Sequence, residues 1–362
     1  MRSDAPEVSG PLPRAARRRV GDRGLSPVPI RGTLASGWVA GLADTLDVMT
    51  IPSTRILLAA ATATVGCFAT SATMAYRRDL AAARARLSAV PRQSVQTSFG
   101  TVEYAESGAG EPVLVSHGIF HGCDGGLLSV RSMLTGRRII APSRFGYLGS
   151  ELPAGATPRD QADAFAALLD HLGVPQADVV GISAGTTAAL EFARRHRDRT
   201  RHLIVLSGSF PGDPLAVAPP AWTKLAYADL PLWVLKKVAR PRFADLMGVP
   251  AGFPKTIEQA HEMDEMLESI FPIGPRRAGA VFDAYVSNPW VNGVPIEKVT
   301  VPTVIVHAKD DPMCAFSAAE QAAHRIPGAT LIAQESGGHL GLGQGAFTSA
   351  ALERFLAPQL VA

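Results

Sequence analysis

Cysteine is scarce in this chain. Cys67, Cys123 and Cys314 are the only thiols in 362 residues, too few for a disulfide scaffold. No CxxC pair exists, so a structural zinc site has no support in the sequence. Charge of one sign is lacking too. The 35 basic and 32 acidic residues leave a net charge of +3, too balanced for a nucleic-acid footprint over the body. The 34 Gly and 28 Pro follow no period, which excludes collagen-like and coiled-coil chains. A hydrophobic content of 47% excludes disorder throughout. No Rossmann or Walker pattern follows a strand, so no cofactor and no metal is expected. The length allows one large domain with an appendage, or two domains.

Residues 1–55 are unlike the rest. Arg14, Arg17, Arg18, Arg19 and Arg23 sit among Pro, Gly and Ser with few apolar runs, which reads as a disordered tail. A basic arm is the competing reading, although eight Arg against five acids is modest for one. Ile56 to Tyr76 then carries no charge between Arg55 and Arg77-Arg78. A helix of this length rises about 31 Å, enough for a bilayer core of about 30 Å, and the segment is expected to be a transmembrane anchor. Seven Ala and four Thr make it weakly apolar. The alternatives are a signal peptide, a lipid-modified Cys67 and a helix packed on the protein. Arg77, Arg78, Arg84 and Arg86 place the C-terminal body in the cytoplasm by the positive-inside rule, against the Arg cluster at 14–23. A start at Met49 would run almost directly into the apolar segment, so residues 1–48 read as a dispensable tail. Residues 77–92 read as a linker helix leading to Pro91.

From residue 93 strands and helices alternate. Gln93–Phe99 and Thr101–Ala105 form a hairpin around Gly100. Strands are expected at Pro112–Ser116, Arg138–Ala141, Asp178–Ile182, His202–Leu206, Thr303–His307 and Thr330–Ala333. Helices are expected at Leu127–Leu134, after the Thr157-Pro158-Arg159-Asp160 start signal, at Thr186–Arg195, near Ala318–Ile326 and near Phe347–Leu356. Residues 209–301 interrupt the rhythm with helical pattern alone. Alternation on both sides of an insert argues a doubly wound, mostly parallel α/β sheet with a helical cap. Such sheets bind ligands at the C-terminal ends of their strands.

The chemistry gathers at those ends. Gly181-Ile182-Ser183-Ala184-Gly185 joins a strand to a helix. A turn of this kind holds the serine at positive φ and aims its hydroxyl out of the sheet. An ordinary glycine-rich turn with a helix-capping serine is the competing reading. A neutral hydroxyl needs a base, and the base needs a carboxylate to orient it. His339, in the loop Ser336-Gly337-Gly338-His339-Leu340-Gly341, is the candidate base. Asp311, just before Pro312, is the candidate carboxylate, with Asp310 its close rival and Asp213 a distant third. The two oxyanion N–H donors are assigned to Ala184 and Ile119, with Phe120 as runner-up to Ile119. His117 reads as a brace for its loop. His121 and Cys123 shape the same loop, and Cys123 has no base within sequence reach.

Residues 93–362 resemble the α/β-hydrolase superfamily of the capped, serine-nucleophile type. The resemblance rests on His117-Gly118, the elbow at Ser183, the Asp311-Pro312 turn, the Gly-Gly-His loop and the stretch Ala141–Ser150. It implies the order nucleophile, acid, base seen here and a carboxylesterase-like activity. Two departures stand out. Ser143 replaces the Asp that usually opens the loop after the fourth strand, and the glycine-proline-rich oxyanion loop of C–C bond hydrolases and proline iminopeptidases is absent. A serine nucleophile also differs from the Asp of haloalkane dehalogenases and epoxide hydrolases.

The insert carries Trp222, Trp233 and Trp290, with several Phe and Met residues. Pure packing is one reading. The other is an apolar pocket under a lid that takes a small-molecule acyl substrate, an ester, lactone or thioester. The competing functions on the same residues are a ligand-binding protein with little turnover and an acyltransferase.

Overall fold

The computed structural model describes residues 40–357. The chain divides into two compact units, Met1–Phe68 and Ala69–Ala362. The second unit holds one sheet of eight strands: β1 (Gln93–Thr97), β2 (Gly100–Ser107), β3 (Pro112–Ser116), β4 (Arg138–Pro142), β5 (Ala177–Ile182), β6 (Thr200–Leu206), β7 (Thr303–Ala308) and β8 (Thr330–Gln334). Their order is β1-β2-β4-β3-β5-β6-β7-β8. β1 and β2 pair antiparallel, β2 meets β4 antiparallel, and every later pair is parallel. The central strands β3, β5 and β7 are buried on both faces and rich in apolar β-branched residues.

Helices cover both faces. On one face lie α3 (Pro158–His171), α4 (Thr186–Arg195) and α11 (Phe316–Arg325). Phe165, Leu168, Leu169, Leu190, Phe192 and Ala319 pack into one cluster on the sheet. On the other face, α2 (Cys123–Val130) and α12 (Gly345–Leu356) contribute Val130 and Leu352 to a second cluster with Val115, Val180 and Val304. α3 opens with a reciprocal capping box, Thr157 against Asp160. Strand order reverses between β3 and β5, the switch point where a doubly wound sheet leaves a crevice. β3 and β5 therefore deliver the Gly118 and Ser183 loops side by side.

The insert after β6 is helical, with no strand among its described residues. It comprises α5 (Thr223–Ala226), α6 (Asp229–Val238), α7 (Arg240–Leu246), α8 (Ile257–Ser269), α9 (Arg277–Phe282), a π-helical turn at Asp283–Ser287 and α10 (Asn288–Trp290). Two ion pairs, one fully buried and one partly buried, tie this cap to the body. Arg144, in the loop after β4, forms a bidentate pair with Asp283 at 2.5 Å, and Asp283 also accepts the Tyr147 hydroxyl. Arg276 pairs with Asp124 of α2 at 2.7 and 2.9 Å.

The N-terminal expectations require correction. No helix among the described residues is long and apolar enough to cross a membrane. Residues 56–76 belong to one continuous helix, α1 (Ala40–Ser88), so the segment is neither a separate span nor followed by a separate linker. Length is not the obstacle. Seven Ala and four Thr replace the Leu and Ile that make transfer into lipid favourable. The single-pass anchor over 56–76 falls, and with it the orientation read from Arg77, Arg78, Arg84 and Arg86. The tail expected over 1–55 lies outside the described residues up to 39 and is helical from Ala40. The stretch from Ala69 packs on the cap. The Trp233 indole donates to Asp79, Lys237 pairs with the same carboxylate at 2.9 Å, and Tyr76 meets Trp233 edge to face.

Candidate active site

Ser183 stands at the end of β5 with φ 49. A serine at positive φ is strained, and two close approaches hold it there. A Cβ on Gly185 would stand 2.1 Å from the Ser116 carbonyl oxygen, and one on Gly181 would stand 2.7 Å from the Ala189 Cβ. Both glycines are required for β5 and α4 to pack this tightly against β3.

His339 arrives on the loop after β8. Its Nε2 lies 2.8 Å from Ser183 Oγ and its Nδ1 2.8 Å from Asp311 Oδ2. Asp311 sits in the turn after β7. Its Oδ1 accepts the N–H groups of Met313 and Cys314. Burial would raise the Asp311 carboxyl, yet hydrogen bonds from His307 and His339 hold it well below the usual carboxylate range. The group therefore stays ionised at every ordinary pH. With the carboxylate on Nδ1, the proton sits there and Nε2 faces Ser183 as an acceptor.

The rivals do other work. Asp310 accepts the N–H groups of Gly337 and Gly338 at 3.2 and 2.9 Å and so pins the loop that carries His339. Asp213 is buried and binds the N–H groups of Leu215 and Ala315. His117 donates from Nδ1 to the Gly118 carbonyl and accepts the Arg144 N–H at Nε2, which makes it a brace. Burial, aided by Arg144, pushes its pKa well below the ordinary value. Cys123 is buried in α2, and burial pushes its thiol up to about 12, far from a nucleophile.

The oxyanion candidates flank the serine. Ala184 follows it at a helix start, where first-turn N–H groups lack intrahelical acceptors. Ile119 and Ser183 line the same cavity. Phe120 has φ 61 and packs edge to face on Tyr227.

Sequence reading missed three features. His307 Nε2 lies 3.3 Å from Asp311 Oδ2 and 2.9 Å from the Cys314 carbonyl. Gly248 of the cap accepts the His339 N–H at 2.8 Å, and a Cβ there would stand 2.3 Å from the His339 Cβ. The Arg144–Asp283–Tyr147 cluster sits against the brace, since Tyr147 meets His117 edge to face. Lone charges inside apolar runs, Arg144 before Phe145 and Asp283 after Phe282, were the available signal.

A cavity of about 90 Å³ opens beside Ser183. Its apolar walls come from Ile182, Leu206 and Val306 at strand ends and from Met247 and Met266 of the cap. The cap tryptophans do not reach it. Trp222 is 68% exposed, Trp233 binds Asp79, and Trp290 donates to Glu191 of α4. Asp311, Cys314 and His339 bring three possible metal ligands together. Burial raises the Cys314 thiol, and a thiol must ionise to bind a metal, so the chemistry of this set favours proton transfer.

Comparison with known proteins places this geometry in context. A profile of the alpha/beta hydrolase family matches residues 113–351. The uncharacterized hydrolase YcgS of Bacillus subtilis is 31% identical over 115 residues, 32% of this chain and 40% of that protein. A 2-hydroxymuconate semialdehyde hydrolase of Pseudomonas putida is 29% identical over 235 residues, 62% of this chain and 79% of that one. Among solved structures, an alpha/beta hydrolase fold protein from Nakamurella multipartita superposes with a TM-score of 0.62 at 26% identity, covering 74% of this chain and 99% of its own. The chain spans less than half the length of the first curated relatives it matches.

Proposed function

The chain belongs to the alpha/beta hydrolase family, and within it we propose that the protein is a serine hydrolase cleaving an ester-like bond of a small apolar acyl compound. One observation carries the proposal: the continuous hydrogen-bonded chain Ser183 Oγ–His339–Asp311, each link 2.8 Å. His339 Nε2 takes the hydroxyl proton as Ser183 Oγ bonds to the acyl carbon. The imidazolium faces ionised Asp311, which stabilises it. The N–H groups of Ala184 and Ile119 receive the developing oxyanion, a contribution of about 2.7–4 kcal/mol for each donor. His339 then returns the proton to the leaving oxygen and the acyl group stays on Ser183. Water attacks that acyl-enzyme, giving its proton to His339, and the carboxylic product leaves as Ser183 recovers its hydroxyl.

The apolar cavity favours acyl chains longer than acetyl. p-Nitrophenyl esters of C4 to C8 acids are expected to turn over faster than the acetate, and a flat profile would count against an apolar acyl site. A fluorophosphonate is expected to label the wild type and not Ser183→Ala. An unlabelled wild type would instead support a ligand-binding protein.

A further inference from the structure

We propose that the acyl site includes a polar seat, Gln334 with Thr348, so that the preferred acyl chain carries a hydroxyl at its far end. The proposal rests on the serine hydrolase reading and names its substrate class. Both residues line the cavity that contains Ser183. Gln334 is the last residue of β8, and Thr348 lies in the first turn of α12.

β8 stands three places from β5 in the sheet, so the seat and the nucleophile enter the same cavity from different strands. Leu206, Val306 and Met313 give the cavity apolar wall, and His121, Ser129 and Ser207 also line it. A plain alkyl chain would satisfy the apolar wall but not the amide.

The amide has one hand occupied. Gln334 Nε2 donates to Thr348 Oγ1 at 2.8 Å, while Oε1 accepts no hydrogen bond among the described residues. Gln334 is 5% exposed, so Oε1 depends on the cavity for a partner. Gly341, at φ 62, faces it without a side chain, and a Cβ there would stand 3.8 Å from Oε1. Oε1 is open to the cavity, where a ligand hydroxyl can donate to it. A hydroxyl both donates and accepts, so it serves the seat in either orientation of the amide. No Lys, Arg, Asp or Glu lines the cavity. A terminal carboxylate or ammonium would therefore enter uncompensated, and the seat selects a neutral group.

The test compares chains that differ only at the far end. For the wild type, kcat/KM for p-nitrophenyl 6-hydroxyhexanoate is expected to exceed that for the hexanoate about tenfold. In Gln334→Met the ratio should fall to one or below. Binding to Ser183→Ala is measured separately by calorimetry, with 6-hydroxyhexanamide expected to bind about tenfold tighter than hexanamide. Equal or weaker binding of the hydroxylated amide overturns the seat, whatever the esters do, and needs no folded Gln334 variant. If that binding preference holds while no ester is turned over and no fluorophosphonate labels the protein, the seat stands and the hydrolase reading falls. If esters are cleaved with no preference for the hydroxyl, the hydrolase reading stands and the seat falls.

Discussion

Mild acid should weaken this fold through His121, and the size of the effect follows from its surroundings. His121 lies just before α2, its ring against Gly125, where a Cβ would stand 2.5 Å away. Its Nε2 lies 3.1 Å from Ser269 Oγ, whose own proton goes to the Met266 carbonyl. The histidine is therefore the Nε2–H tautomer, and Nδ1 is buried without a partner. Burial first, and then Arg276, lowers its pKa to about 4; Arg144 adds to this and Asp124 partly opposes it. The unfolded chain binds the proton near 6.5. Between those values the unfolded state holds more protons, so stability falls as pH falls. Its contribution is nearly whole above pH 6.5, is lost at about 1.4 kcal/mol per pH unit below that, and levels off below pH 4. From pH 7 to pH 5 the loss from His121 is about 2 kcal/mol. His117 titrates in the same direction and adds to it. Urea unfolding of the wild type and His121→Gln at both pH values measures the difference. The glutamine variant should lose about 2 kcal/mol less between pH 7 and pH 5, with unchanged m-values. Equal pH dependence in the two proteins would refute a histidine held neutral by burial.

Other outcomes follow from single contacts. Asp311→Asn keeps the shape but releases the imidazole tautomer, and kcat for a p-nitrophenyl ester should fall roughly 10³- to 10⁴-fold; a loss under tenfold would remove Asp311 from the mechanism. Gly248→Ala adds a Cβ 2.3 Å from the His339 Cβ at φ +85. It should cut kcat sharply while circular dichroism shows a folded protein, and normal turnover would mean that the cap does not position His339. Arg144→Met leaves Asp283 buried without its cation. It should destabilise the protein by about 3–5 kcal/mol in urea unfolding, a loss that Arg144→Met/Asp283→Leu should largely recover. A destabilisation below 1 kcal/mol would show that this pair does not hold the cap.

The body was legible because its strands are apolar β-branched runs bounded by turn residues. Pro112–Ser116 and Thr303–Ala308 announce themselves in this way. The start of β6 was hidden by two polar residues at the strand's N-terminal edge: Thr200 donates to the His196 carbonyl and Arg201 pairs with Glu111 and Asp178. α2 was read four residues late because Gly125 and Gly126 sit in its first turn. Their reason is tertiary, the His121 ring against one and the Ala141 methyl 3.2 Å from a Cβ on the other. The 56–76 segment misled through length and missing charge, properties that an alanine-rich helix shares with a membrane span. The tryptophans misled by size. Methionines fill the cavity wall, where flexible side chains suit an irregular void, and nothing in their spacing marks them.

Ser183, His339 and Asp311 were visible because each stands in a loop of unusual local chemistry. The residues that fix them were not, because their partners are distant in sequence. Asp310 reaches 28 residues to hold Gly338, and Arg144 reaches 139 to hold Asp283. The cap contributes to the site in the same hidden way. Gly248 accepts the N–H of His339, so the base hangs between Asp310 of the body and a carbonyl of the insert. A cap that lifts away would take that bond with it. On the serine hydrolase reading proposed above, an acyl chain long enough to reach Met247 and Met266, which line the cavity, is expected to hold the cap and the imidazole in place together. Short esters should accordingly lose in kcat as well as in KM. Loss confined to KM would separate the cap from the chemistry.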